Sequence, residues 1–346
     1  MWVRFILLQI LLLTNLSCNR KVEPLVDIDF KPTNEHEWSL LEEKRRAIKA
    51  GLSVGAWWRS WMGPRIELIE IRLEQGEDVL PLLERISPSN LGCIAPLRSQ
   101  HALLVRDALQ KIGLTCVAPT ATSVQLSKEP QFFMMSPDDH VIGRALGAYV
   151  TQKLGSKRIA VLTSDSVDLQ LSATIDGFLD GAKSASVSKI FRSGDGDPIE
   201  NFHSIRQLAQ EGFDSIFIGL NFSDALAPLE ELNLSAAKQL VVVGLESWNN
   251  AAFLEQVSGT KVQIFVPQFF RRVGSLNKDS VVYTATRDAV SLILKTKGNP
   301  AELRVFDGTT GQMNCNGKSC WGTMNLFEVK EGKLGFVDPI HLNEFF

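Results

Sequence analysis

The chain has 346 residues, 45% of them hydrophobic, and a formal charge of −3. That composition supplies cores for two ordinary globular domains. The near-neutral balance, without a long run of like charge, excludes a surface built to coat nucleic acid. There is no low-complexity tract and no repeat of short period.

The first segment reads as an export signal. Arg4 provides a positive start and Phe5 to Leu13 an apolar core too short to span a bilayer. Thr14-Asn15-Leu16-Ser17-Cys18 follows and resembles a bacterial lipobox, whose cysteine is lipidated and becomes the new N-terminus. It departs from the usual pattern in carrying Asn15 three places before the cysteine, with Leu16 one place late. Residues 1–17 are therefore expected to be a signal peptide, Cys18 a lipid anchor and residues 18–24 a tether. Removing residues 1–17 takes Arg4 with it and moves the charge from −3 to −4.

Leu25 to Phe30 alternates as a strand. Glu37 to about Trp61 has helical period, with Leu40, Leu41, Ile48 and Leu52 on its buried side; Trp57, Trp58 and Trp61 at its far end are read as packing. Ile66 to Leu73 is a strand and Val79 to Ile86 a helix. Leu91 to Ser123 then forms the organising unit. An apolar run, Gly92 to Ala95, ends in a polar turn; Val105, Leu109 and Ile112 recur at helical spacing; Gly113 stops the helix; and a second apolar run, Thr115 to Ala118, ends in hydroxyl residues. A strand, a helix and a parallel strand place both strand ends on one side of the sheet. Arg98, Ser99 and Gln100 are thus expected beside Thr120, Thr122 and Ser123, in the crevice where open α/β sheets bind ligands. Phe132 to Met135 is a short strand, and Ser136-Pro137-Asp138-Asp139 is a break.

From there the alternation restarts. Helices are expected at Ile142 to Leu154, Leu169 to Ala182, Ile199 to Gln210 and Ser223 to Leu232, with a short one near Asn250. The intervening strands are Ile159 to Leu162, Val187 to Phe191, Ser215 to Leu220, Leu240 to Gly244 and Val262 to Val266. Gly194-Asp195-Gly196-Asp197-Pro198 lacks the further carboxylates of a calcium loop and is read as a helix-capping turn. Val281 to Leu294 is a long helix returning to the first lobe, and Met324 to Val329 with Lys333 to Val337 is a hairpin around Glu331-Gly332. The fold class is α/β, with two doubly wound parallel-sheet lobes broken near Pro137. Lobe 1 is assigned residues 25–137 plus 268–320, and lobe 2 residues 138–267 plus 321–346.

Four cysteines remain after Cys18, in an oxidising compartment if the chain is exported. Cys315 and Cys320 flank a turn-rich loop and are expected to pair locally. Cys93 and Cys116 lie on neighbouring parallel strands; pairing is one state open to them, but a direct bridge there is geometrically awkward, so buried free thiols are the expectation. No spacing among the cysteines and five histidines is that of a zinc site.

Several segments, in order, resemble the type I periplasmic binding proteins, in the branch that holds leucine-binding proteins and penicillin-binding protein activators. Ala95-Pro96 with Ser99, then Pro119-Thr120-Ala121-Thr122 with Leu126-Ser127, resemble that family's GPxxS and SPxATxxxLS runs. Ser136-Pro137-Asp138-Asp139 with Gly143-Arg144-Ala145-Leu146 is similar to its first crossover and following helix. Lys157 to Leu162, Asp176-Gly177-Phe178, Phe213 to Gly219, Val243-Gly244 with Trp248-Asn249-Asn250, and Val329 to Lys333 continue the pattern through nearly the whole mature chain. Two loops depart from it. Ser164-Asp165-Ser166-Val167-Asp168 lacks the usual tyrosine and glycine, and Lys31-Pro32-Thr33-Asn34-Glu35 replaces the usual proline, small-residue and glycine turn.

The resemblance implies two lobes closing by a hinge over a small polar, amino-acid-like ligand for an ABC permease, on the periplasmic or outer side of a bacterial membrane. Ser99, Thr120, Ala121 and Thr122 would supply the first-lobe half of the site. Glu246 sits where leucine-type binders place an acid against the ligand's ammonium, and Trp248 is read as packing. Three chain crossings are expected: near Ser136 to Asp139, near Val266 to Gln268, and after Thr310. The alternative is an envelope interaction protein that docks on a cell-wall synthase and binds no metabolite. No GxSxG, HExxH or phosphate-cradling glycine loop is present, so an enzyme, a cofactor and a metal are not expected.

Overall fold

A computed structural model describes residues 22–54, 64–85, 92–164, 169–193, 208, 211–234, 240–269, 280–309 and 311–342. The readings made for the signal segment, Cys18, the Trp57–Trp61 cluster, the loop Asp165–Asp168 and the turn at Gly194–Pro198 lie outside the described residues.

The first lobe is built on β1 (Val22–Phe30), which begins ahead of the alternation that marks it in the sequence. Val26, Ile28 and Phe30 point to one side and pack in one apolar cluster; Leu25 points to the other side and joins a second. β1 lies between β2 (Arg65–Leu73) and β3 (Gly92–Ile94), parallel to both. β4 (Cys116–Ala118) and β5 (Phe132–Met134) complete a sheet of order β2-β1-β3-β4-β5. Its helices are α1 (Glu35–Ser53), the short α2 (Leu80–Glu84), α3 (Ser99–Ile112) and the short α4 (Val124–Lys128). α3 ends at Gly113, whose φ of 65° is the left-handed conformation that a residue without Cβ adopts at no steric cost.

The second lobe begins with α5 (Asp139–Gln152), capped by the Asp138 side chain. It continues through β6 (Arg158–Ser164), α6 (Leu169–Gly181), β7 (Ser186–Ser193), β8 (Ser215–Ile218), α7 (Phe222–Leu234), β9 (Val241–Val243), α8 (Ala251–Gln256) and β10 (Gln263–Gln268). The chain then returns to the first lobe as α9 (Val281–Thr296), which packs on α1 so closely that a Cβ at Gly51 would lie 2.8 Å from Val290 Cβ. β11 (Val305–Gly308), β12 (Gly311–Cys315) and β13 (Cys320–Trp321) make a small antiparallel sheet that the sequence pattern does not reveal. It joins the β5 edge, where the Met134 N–H donates to the Lys318 carbonyl at 3.0 Å.

β14 (Met324–Lys330) and β15 (Lys333–Ile340) finish the second sheet, in the order β15-β14-β10-β9-β8-β6-β7. This sheet is not purely parallel. The two-residue turn Glu331-Gly332, both with positive φ, returns the chain directly, so β14 runs antiparallel to β15 and also to β10.

The cysteines correct one expectation. Cys93 and Cys116 are bonded to each other, as are Cys315 and Cys320. Cys93 and Cys116 are register partners on adjacent strands with Cα atoms 4.3 Å apart, so both side chains leave the sheet on the same side, within reach. The register makes the bridge possible directly between neighbouring strands.

A second departure concerns charge. Asp27 and Asp29 occupy the α1-facing side of β1, a strand covered on both faces. Lys44 of α1, fully buried, reaches Asp27 and Asp29 at 2.8 Å each and donates to the Ala95 carbonyl at 2.9 Å. Arg72 binds the other Asp27 oxygen at 2.7 Å. Burial pulls the Lys44 pKa down, but the two carboxylates outweigh it and the net direction is up. Buried pairs of this kind add little net stability, whereas removing one partner costs about 3–5 kcal/mol.

In the second lobe α5 and α6 touch backbone to backbone. A Cβ at Gly143 or Gly147 would overlap the carbonyl oxygens of Thr174 or Phe178, and one at Gly177 or Gly181 those of His140 or Arg144. In an exposed helix Gly→Ala gains about 1 kcal/mol of propensity. Here the obstacle is a neighbouring backbone, which cannot rotate aside, and overpacking costs about 1–3 kcal/mol or more. Gly147→Ala should therefore lose stability, by about 2 kcal/mol in urea denaturation; a more stable variant would contradict the close packing.

Candidate functional site

The carboxyl ends of the strands of both lobes meet at one pocket of about 230 Å3. Thr122, from the loop after β4, reaches it from the first lobe. The second lobe supplies Asp139, Ile142 and Leu146 from α5, Leu171 and Thr174 from α6, Asn221 after β8, Leu245, Glu246 and Ser247 after β9, and Pro267 on β10. The volume lies below the range of about 300–1,000 Å3 typical for drug-sized ligands and suits a metabolite.

The first-lobe rim is held by its own hydroxyls. Ser99 is the first residue of α3, and its Oγ accepts from the N–H groups of Thr122 at 3.2 Å and Ser123 at 3.3 Å. Thr120 donates its hydroxyl to the Leu97 carbonyl at 2.9 Å. Ala121 is buried in the first-lobe core. Of the five ligand residues expected from sequence, Thr122 and Glu246 therefore line the pocket, while Ser99, Thr120 and Ala121 shape the loop that presents Thr122. The Thr122 carbonyl also accepts from the Asp139 N–H at 2.8 Å, tying the rim to the start of α5 across the first chain crossing.

The opposite wall is set by Trp248. A Cβ at Gly244 would overlap its ring, its Nε1 donates to the Leu220 carbonyl at 2.9 Å, and it is fully buried, which is the packing role expected of it. This fixes the single helical turn Glu246–Trp248 and aims Glu246 at the pocket. Glu246 Oε1 accepts from the Phe269 N–H at 3.0 Å, and Asn249 donates to the Gln268 side chain at 2.8 Å, so the loop is stitched to the strand end that enters the second crossing.

Sequence reasoning missed Asp139 as a pocket residue. The signal was present in the pair Asp138-Asp139: one carboxylate caps α5, leaving the next to face the crevice. Among the described residues no three His, Cys, Asp or Glu side chains gather to hold a metal ion, and no helix is long and apolar enough to cross a membrane.

Glu246 is half-buried, its accessible surface turned to the pocket. Burial pushes its carboxyl up to about 7, with the Phe269 N–H pulling modestly the other way. Between about pH 4.3, the ordinary glutamate value, and about 7, the folded chain holds a proton that the unfolded chain has lost. Stability should fall across that window as pH rises. Glu246→Gln mimics the neutral acid, so its advantage in urea midpoint over the unsubstituted chain should open between those values and stay constant above. A constant gap at every pH would refute the buried acid.

No protein-family model and no curated protein matches the chain. Solved structures do. The chain is similar to the branched-chain amino acid transporter substrate binding protein LivJ of Streptococcus pneumoniae, solved with isoleucine, at 16% identity over 92% of this chain and 100% of that one, with a TM-score of 0.67. It is similar to a putative branched-chain amino acid ABC transporter protein of Rhodospirillum rubrum at 14% identity over 91% and 100%, with a TM-score of 0.73. A solute binding protein of R. palustris, solved with benzoate, is similar at 15% identity over 91% and 96%, with a TM-score of 0.61.

Proposed function

We propose that this chain, which has the two-lobed type I periplasmic binding protein fold, is an extracytoplasmic solute-binding protein that delivers a small amine-bearing solute to an ABC importer. The observation that carries this reading is the meeting of Thr122 from one lobe and Glu246 from the other in one pocket. A carboxylate recessed among apolar walls favours an ammonium over an anion, because the ion pair forms where water screens it least. The structural neighbours named above were solved with isoleucine and with benzoate; Glu246 supports the amine-bearing side of that range. Closure would follow from bending at Ser136–Asp138, after Gln268 and at Gly322–Thr323, the three places where the chain passes between sheets.

Export is supported by the bonded pairs Cys93–Cys116 and Cys315–Cys320, which belong to an oxidising compartment. In this reading Cys18 carries the lipid anchor, on the periplasmic or outer face of a bacterial membrane. A single acyl chain binds a bilayer only marginally, so a lipoprotein's several chains are required.

A thermal-shift screen of the mature chain against amino acids, amines and sugars tests the binding role. A solute at a hundred times its Kd adds about 2.7 kcal/mol, a shift of several degrees. The same solute should shrink the radius of gyration in solution scattering. A blank screen combined with capture of a cell-wall synthase would instead favour the envelope-interaction role. For the anchor, cells fed a palmitate analogue should label the wild-type chain and not Cys18→Ser; unlabelled wild-type chain in the soluble fraction would refute it.

A further inference from the structure

Resting on the anchored reading above, we propose that the base of the first lobe, the end away from the pocket, lies on an anionic lipid surface. Two observations carry this. The first is reach. β1 begins at Val22, four residues after Cys18. Four residues span at most about 14 Å, so an acyl group on Cys18 keeps the start of β1 within that distance of the lipid headgroups. The first-lobe strands run parallel to one another, so all of them start towards this end and finish towards the pocket. The nine residues of β1 rise about 3.3 Å each, which carries the pocket end about 30 Å from the start.

The second observation is charge. Arg65 starts β2 as the register partner of Val22. Lys111, Lys128 and Lys295 close the last turns of α3, α4 and α9, where they also offset the helix carbonyls. Lys297 follows α9. A Cβ at Gly92, the first residue of β3, would lie 3.6 Å from Gly298 Cα, which puts this helix end at the strand starts. All five of these basic residues are exposed. The described acids at this end are Glu23, Glu129 and Glu302, and Glu129 is bridged to Arg106 at 3.3 Å. The pocket end of the same lobe has the reverse balance. Glu35, Glu74, Glu77 and Asp78 are exposed there, while Lys31 and Arg98 are bridged to Glu74 and Glu37. The chain as a whole is acidic, so the cations gathered at the end nearest Cys18 are a local reversal. An anionic bilayer attracts that end and repels the other. Each Lys or Arg held close to anionic headgroups strengthens binding about fivefold.

The test uses the chain from residue 18 with Cys18→Ser, so that no acyl group contributes, and vesicles of phosphatidylcholine with and without phosphatidylglycerol. Sedimentation should show binding to the mixed vesicles that falls as salt rises, and none to phosphatidylcholine alone. Lys111→Gln, Lys128→Gln and Lys295→Gln together should weaken binding about a hundredfold. Lys153→Gln, Lys261→Gln and Lys333→Gln together remove the same charge from exposed positions of the second lobe and should leave binding unchanged. Equal loss in the two triple variants, or no binding of the parent chain to mixed vesicles, would overturn the inference. In the acylated chain, a fluorophore on Lys111→Cys should be quenched by a nitroxide carried on lipid headgroups, and one on Lys261→Cys should not. Quenching at residue 261 equal to or above that at residue 111 would also overturn it. The palmitate label reports on the anchor separately: a labelled chain whose triple variants lose binding equally keeps its anchor and loses this face.

Discussion

Four glycines let two helix backbones touch, and the geometry of the pocket follows from that contact. Gly143 and Gly147 on α5 face carbonyls of α6, while Gly177 and Gly181 on α6 face carbonyls of α5. Each contact is backbone against backbone, so the interface has one distance and one register. Asp139, Ile142 and Leu146 ride on one helix and Leu171 and Thr174 on the other. A looser pair joined by larger side chains would move these residues apart and widen the wall. Because α5 begins at the first chain crossing, the same contact also fixes where the first lobe's Thr122 loop meets the second lobe.

Electrostatics completes the site through burial rather than through a partner charge. Glu246 is recessed by the loop that Trp248 anchors, and its carboxyl rises to about 7 because water is excluded on the protein side. Lys44 shows the opposite solution in the first-lobe core, where Asp27 and Asp29 keep a fully buried ammonium charged. One cluster is closed and serves to lock α1 on β1. The other, Glu246, is open to a cavity, and its carboxyl is raised by burial against a single backbone N–H from Phe269. The Glu246 bond to Phe269 further ties that cavity to the end of β10.

Much of this was legible in the sequence because parallel α/β units repeat a simple logic. Apolar runs ending in polar turns marked the strand ends, and they brought Ser99, Thr120 and Thr122 to the correct side of the first sheet. Which hydroxyl residue would line the pocket was not legible, since Ser99 and Thr120 satisfy loop backbone groups that exist only once the loops are folded. Glu246 was reachable through family resemblance, whereas Asp139 was hidden behind the capping role of its neighbour. Asp27 and Asp29, two residues apart in an otherwise apolar strand, were a readable demand for a buried cation, yet nothing local named Lys44. The Cys93–Cys116 bond was missed because it depends on exact strand register. The small sheet β11–β13 was missed because its strands are short and half exposed, without a strong period.

In the proposed role, solute binds in the crevice between the Thr122 loop and the Glu246 loop, and the lobes close there. Hydrogen exchange of the mature chain, with and without a saturating concentration of the solute that stabilises it most, tests this directly. Slowed exchange should concentrate in residues 120–123, 139–146 and 244–249, with the β2 and β15 edges unchanged. Slowing confined to those outer edges, or spread evenly over both lobes, would contradict it.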